Sequence, residues 1–133
     1  MEELRISTAR NEELIDITGR VAAAVQKSKA RDGLCLVYVP HATAAVVINE
    51  NADPGVGRDI IKALNHAVPQ LGYEHDNVDG NARAHIKSAI AGPSVTIPVR
   101  DGRLLLGRWQ GILFCEFDGP RQDRRILVEV IGQ

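Results

Sequence analysis

The sequence predicts an α+β fold built on a mostly antiparallel sheet. Strand-like runs dominate the 133 residues, and helical patterns number about three. Those helical segments do not alternate with strands in the regular order of a parallel βαβ protein. The runs are separated by Gly-, Pro-, Asn- and Asp-rich turns, the chemistry that reverses a chain between antiparallel strands. A chain of this length, with 44% hydrophobic and 25% charged residues, is one ordinary domain over 1–133.

Residues 2–9 (EELRISTA) alternate and predict a first strand. Asn11-Glu12 is a turn, and residues 13–17 form a second strand, giving an opening hairpin. Thr18 is the expected N-cap of a helix to about Lys29, with Val21, Ala22, Val25 and Ser28 in one stripe. Asp32-Gly33 ends it. Residues 34–39 (LCLVYV) carry strand formers on both faces and predict a central strand that Pro40 stops. Residues 44–48 form a short buried strand, with His41 and Thr43 before it and Asn49-Glu50-Asn51 after it. Asp53-Pro54 starts a second helix, with Asp as cap and Pro at its first position. Val56, Ile60, Ala63, Leu64 and Ala67 share one face of that helix, and Asp59, Lys62 and His66 the opposite one.

Residues 70–81 form a polar loop. Asn81 is the expected cap of a third helix over 82–91, with Ala82, His85, Ile86 and Ala89 inward and Gly92-Pro93 at its end. Residues 94–99 alternate as a strand, and Arg100-Asp101-Gly102 turns the chain into GRLLLGRWQGILFCEFDGPR. Gly107 breaks this stretch into strands 103–106 and 109–118. In the second, Trp109, Leu113, Cys115 and Phe117 read as plain core, while Gln110, Ile112, Phe114, Glu116 and Asp118 form a mixed face expected at a site or subunit interface. A basic turn and a last strand follow, with Ile126, Val128 and Val130 inward.

Charge and composition narrow the function classes. A net charge of −1 gives no electrostatic case for nucleic acid or an anionic membrane. Glu2 and Glu3 follow Met1 where an export signal would be basic and then apolar, and apolar stretches are too short to cross a bilayer, so a cytoplasmic location is expected. Cys35 and Cys115 lie among apolar strand residues, as reduced, buried thiols do.

Four His are present. His66 belongs to a solvent face. His41 borders a buried strand, His75 lies in the polar loop, and His85 is on the inner edge of the third helix. Three imidazoles with an open position suit Zn²⁺, and Glu50, Asp76, Asp79 or Glu116 would add carboxylates for other divalent ions. Alternatively, each imidazole satisfies a local hydrogen bond. The third helix also offers free N–H groups at its start, with Arg83 in its first turn, which can hold a phosphate or carboxylate. The alternative is that Asn81 caps the helix and Arg83 points to water. Gly102, Gly107 and Gly111 lack the strand–loop–helix context of a phosphate-binding fingerprint, and no Gly-x-Ser-x-Gly elbow occurs.

HATAAVVINENADPGVGRD from His41, YEHDNVDGNARAHIKSAIAGPSVTIPVRDGRLLLGRWQGI from Tyr73 and CEFDGPRQDR from Cys115 closely resemble the YjbQ-like family. The resemblance covers nearly the whole chain. Where the family pattern reads His-Thr-Thr-Ala and Gly-Thr-Trp-Gln, this chain has Ala42 and Arg108. The resemblance implies a single α+β domain forming a homotrimer with clefts between subunits, and a secondary thiamine-phosphate synthase activity. It carries over His41, Glu50, Asn51, His75, Asp79, Asn81, His85, Trp109, Gln110 and Glu116. On that basis His41, His75 and His85 are expected to hold a divalent metal, Zn or Mg. Asn51, Asp79, Asn81, Arg83 and Arg108 are expected to bind a small phosphorylated metabolite, and Glu50, Glu116, Gln110 and Trp109 to serve catalysis. A non-catalytic trimer that binds a metal or metabolite would use the same residues, and a metal-assisted hydrolase would use Glu116 or Glu50 as base.

Overall fold

The chain folds around two antiparallel sheets that face each other. The computed structural model describes residues 1–133. Its strands are β1 (Glu2–Ile6), β2 (Glu13–Asp16), β3 (Gly33–Tyr38), β4 (Ala44–Glu50), β5 (Ser94–Arg100), β6 (Arg103–Leu104), β7 (Gln110–Glu116) and β8 (Arg124–Gly132). The helices are α1 (Thr18–Ser28), α2 (Pro54–Ala67) and α3 (Ala82–Ala91), with a 3-10 turn at Glu74–Asn77. One sheet has the order β1-β8-β3-β5-β6 and the other β2-β7-β4, and every ladder is antiparallel. The α+β class predicted from the sequence is the class observed.

The main core fills the space between the sheets. Cys35, Val37, Ile97, Val99, Ile126 and Val128 come from the larger sheet, and Ala44, Val46, Ile112 and Phe114 from the smaller. Helix α1 packs its Val21, Ala24 and Val25 into this core. Helices α2 and α3 cover the other face of the small sheet, where Ala45, Ala84, Cys115 and Phe117 form a second cluster against Leu14, Val47 and Leu64. Both cysteines are free and buried, and burial pushes the Cys35 thiol up to about 11 and that of Cys115 up to about 12. The outer face of the five-stranded sheet is open, and Leu34, Tyr38 and Ile131 are exposed there.

Several sequence expectations change. The opening hairpin does not form: β1 pairs with β8 and β2 with β7, so the two strands belong to different sheets. Alternation in a short strand reports a half-buried face and does not name the partner strand. Thr18 is the first helical residue rather than the cap, and the Asp16 carboxylate accepts from the Thr18 N–H (2.9 Å) and hydroxyl (2.6 Å). Both faces of β7 are buried, because it is the middle strand between the core and the helices. Its mixed face is therefore not a subunit surface, since Ile112 and Phe114 are central to the main core. On α3 the buried residues are Ala82, Ala84, Lys87 and Ser88, while His85 and Ile86 are half-buried and Ala89 is exposed. Asp53 caps α2 as expected, accepting from the Gly55 N–H at 2.8 Å.

Candidate functional site

The candidate site residues fall at opposite ends of the β4–β7 ladder. The register runs from Ala44 opposite Glu116 to Glu50 opposite Gln110. Six residues of strand at ~3.4 Å each separate the two ends by about 20 Å.

At the first end, Glu116 is fully buried. Its Oε1 accepts from the Thr8 hydroxyl (2.7 Å) and Arg124 Nε (2.9 Å). Its Oε2 accepts from the Asp118 N–H (3.0 Å) and from Arg124 Nη2, which also donates to Thr43 Oγ1 at 2.9 Å. Burial acts to raise the Glu116 carboxyl, but the hydrogen bonds from Arg124, the Asp118 N–H and Thr8 outweigh it and hold the group below the usual range. A carboxylate with both oxygens committed and no solvent access is a poor proton acceptor, which removes Glu116 from the expected catalytic set. His41 borders this cluster. Its Nε2 accepts a 2.9 Å hydrogen bond from the Arg125 backbone N–H. Burial, then the charges of Arg124 and Arg125, lower its pKa.

Asn81 links this end to the start of α3, because its Nδ2 donates to Asp118 Oδ2 at 2.9 Å. Asn81 is therefore not the side-chain cap of α3. The Asp76 carboxylate does that work, accepting from the Ala82 N–H (3.0 Å) and from Gln70 Nε2 (2.5 Å). These bonds hold the Asp76 carboxyl below its usual range. They also fix the 3-10 turn so that the His75 ring lies 4.8 Å from that of His85, edge to face at 85°. Tyr73, Ala82 and Ile86 complete a cleft of about 280 Å³ around the two imidazoles. His75 Nε2 is buried without a hydrogen-bond partner, with Asp79 Oδ2 3.5 Å away. Asn81 Oδ1 is also buried and unpaired.

Arg83 does not stand ready for a phosphate through this network. Its Nε donates to the Val68 carbonyl (2.7 Å), and its Nη2 donates to Asn65 O (3.1 Å) and Oδ1 (2.8 Å). These acceptors are at the C-terminal end of α2, where carbonyls lack helical partners. Lys87, one turn further on, is 3% exposed and donates to Glu12 Oε2 at 2.6 Å and to Asn65 Oδ1. Sequence reading missed Lys87, Glu12 and Asn65 as a buried polar set. The available signal was the i, i+4 spacing of Arg83 and Lys87, which puts both cations on one side of α3.

At the second end, Asn51 Nδ2 donates to Asp16 Oδ2 at 3.1 Å, and Glu50 Oε2 accepts from the Asp53 N–H at 3.3 Å. Gly111 permits this packing, because a Cβ there would lie 2.4 Å from Asn51 Nδ2. Burial raises the Asp16 carboxyl less than the hydrogen bonds from Thr18 and Asn51 lower it, so it sits below its ordinary range. Glu50, Asn51, Asp16, Arg10 and Arg58 line a cleft of about 310 Å³ between β2 and α2. Gln110 Oε1 accepts from the Gly107 N–H (2.8 Å) and holds the loop before β7. Trp109, in that loop, is 57% exposed, with the Arg108 guanidinium 5.2 Å from its ring centroid.

The structure thus brings His75, His85, Asp79 and Asn81 into one neighbourhood, and Glu50, Asn51, Gln110 and Trp109 into another. Within a single chain no three His, Cys, Asp or Glu side chains converge to hold a metal. His66 is exposed on α2, as expected. No helix is long and apolar enough to cross a membrane.

These features define a two-sheet α+β domain with three helices and a paired-histidine cleft at the α3 start. The chain belongs to the UPF0047 protein YjbQ-like family, which it matches over residues 2–133. It is 50% identical over 128 residues to a UPF0047 protein of Methanocaldococcus jannaschii, covering 96% of this chain and 91% of that one. It is 43% identical over 135 residues to the UPF0047 protein YugU of Bacillus subtilis, covering 99% of each. The fold matches the crystal structure of a protein of unknown function from Sulfolobus solfataricus, with a TM-score of 0.96 and 41% identity over 99% of this chain and 96% of that one. An uncharacterized conserved protein from Clostridium acetobutylicum gives a TM-score of 0.93 and 47% identity over 98% of this chain and 100% of that one.

Proposed function

We propose that this protein acts on a small phosphorylated metabolite at a site centred on His75 and His85 and completed by a second copy of the chain in a trimer. The observation that carries this reading is the buried His75 Nε2, which has no hydrogen-bond partner and lies beside the His85 ring. A buried polar atom without a partner costs about 1–3 kcal/mol, so one held at the edge of a cleft favours a ligand that satisfies it. The two imidazoles supply at most two protein positions to a divalent cation, so the remaining ones would come from a phosphate or from a neighbouring subunit. The open outer face of the large sheet and the exposed Trp109 supply surface for assembly.

The reaction class comes from the family resemblance: thiamine-phosphate synthesis as a secondary activity. There the thiazole nitrogen bonds to the pyrimidine methylene carbon, the carbon–oxygen bond to the diphosphate breaks, and pyrophosphate leaves. A divalent ion would neutralise the departing charge. The chain's own contribution would be to orient the substrates, with Trp109 as an apolar wall and Glu50 and Asn51 as polar contacts from a neighbouring copy. A second reading, a trimer that binds without turnover, is favoured by the engagement of Glu116 and Arg83 in internal hydrogen bonds.

The test is pyrophosphate release from the two precursors with Zn²⁺ or Mg²⁺, alongside sedimentation of the 14.5 kDa chain. Turnover lost in His85→Ala, with the trimer intact, is the result expected for the transferase. Metal binding without turnover selects the second reading. A monomer without metal affinity defeats both.

A further inference from the structure

We propose that His41 is not a metal ligand but a fixed hydrogen-bond donor, presenting its Nδ1–H to an anionic oxygen of the bound ligand. The argument begins with the backbone. Arg125 lies in β8, and its N–H donates to His41 Nε2 at 2.9 Å. An imidazole nitrogen that accepts a hydrogen bond holds its lone pair there, so the neutral ring must carry its proton on Nδ1. Metal binding through Nε2 would need the lone pair that the Arg125 N–H already occupies. Binding through Nδ1 would put a proton on Nε2, facing an N–H donor. Both routes break the observed contact.

The contact is built into the core rather than resting on a loop. Arg124, the preceding residue, is buried and bonded to Glu116 and Thr43. Thr43 lies two residues beyond His41, so one buried cluster fixes both the donor strand and the acceptor segment. His41 Nδ1 makes no hydrogen bond within the chain and is not sealed from solvent. The charged groups around the ring are Arg124, Arg125, Arg121 and Glu116, and Arg125 and Arg121 are ion-paired with Glu3 and Asp118. Glu116 is itself paired with Arg124. The free Nδ1–H is a donor with no lone pair to offer a cation, so its fitting partner is an acceptor such as a phosphate or pyrophosphate oxygen.

This assignment rests on the proposed function only for the identity of the anion, since the tautomer is a property of the protein alone. Nitrogen-15 correlation spectra of the imidazoles are expected to show His41 protonated on Nδ1 and unprotonated on Nε2, unchanged by Zn²⁺, while His75 and His85 respond. Protonation at Nε2, or a Zn²⁺-dependent change at His41, overturns the proposal. In titrations of the full chain, His41→Ala should weaken inorganic pyrophosphate about tenfold, the usual effect of one hydrogen bond to a charged group. Zn²⁺ affinity should stay within about twofold. His41→Asn, whose amide N–H lies near the place of Nδ1–H, should recover most of the loss. A tenfold fall in Zn²⁺ affinity, or unchanged pyrophosphate affinity, in His41→Ala overturns the assignment. Unchanged Zn²⁺ affinity in His85→Ala removes the metal reading above and leaves both His41 readouts intact.

Discussion

Glu116 and His75 are both motif residues with buried polar atoms, and the structure treats them in opposite ways. Glu116 is fully enclosed, yet both its oxygens are matched by Arg124, Thr8 and the Asp118 N–H. His75 is partly exposed, yet its buried Nε2 has no partner. The first arrangement is closed: every polar group meets another from the same chain. The second is open: a donor or acceptor is held in place by Asp76 and the 3-10 turn and left unsatisfied. Closed clusters stabilise a fold and leave nothing for a ligand. Open ones cost stability and are kept where something else completes them.

The comparison is tested most severely at Arg124. Arg124→Met leaves the Glu116 carboxylate buried without its countercharge, and a loss of about 3–5 kcal/mol is expected in urea unfolding. A loss below about 1 kcal/mol would show that the cluster is not closed in the sense used here.

Acid probes the same cluster without mutation. The Glu116 carboxyl titrates lower in the folded chain than in the unfolded one, where a value of about 4.3 applies. Its contribution is therefore complete above that unfolded value and is lost as pH falls through the folded one. Asp16, Asp76 and Glu3 shift in the same direction and add to the slope. Urea midpoints should decline gently below about pH 6.5, where His41 resists protonation in the folded chain, and fall steeply below about pH 4, and Glu116→Gln should flatten the steep part. An equally steep fall in Glu116→Gln would assign it to the other three carboxylates.

The smallest stability effects are expected at the open cluster. His75→Ala removes an unsatisfied atom, so it should change stability by no more than about 1 kcal/mol while abolishing the thermal shift produced by Zn²⁺. Large destabilisation without loss of that shift would reverse the roles assigned to the two regions.

Much of the fold was legible because it rests on local chemistry. Asp53-Pro54 set the start of α2, Gly107 broke the strands on either side of it, and the apolar residues of 34–39 marked a central strand. The motif residues were legible as a set, and so was the dismissal of His66. Their grouping was not. His41 and His75 looked like members of one triad, but His41 is tied to β8 while His75 meets His85. Arg83 looked like a free cation at a helix start, and its partners are the end of another helix. Lys87 drew no notice, because nothing in its neighbours along the chain shows that Glu12 and Asn65 enclose it.

By itself, then, the sequence determined the α+β class, most element boundaries, the family and the polar residues worth asking about. These follow from hydrophobic period, turn chemistry and motif, all of which act over a few residues. Tertiary structure alone decided which strands pair, that both faces of β7 are covered, and which polar residues are satisfied. Each of these depends on partners far away in the chain, such as Arg124 for Glu116 and Arg125 for His41. A buried polar group gains or loses free energy only through what meets it in space, and that is settled when the two sheets close on each other.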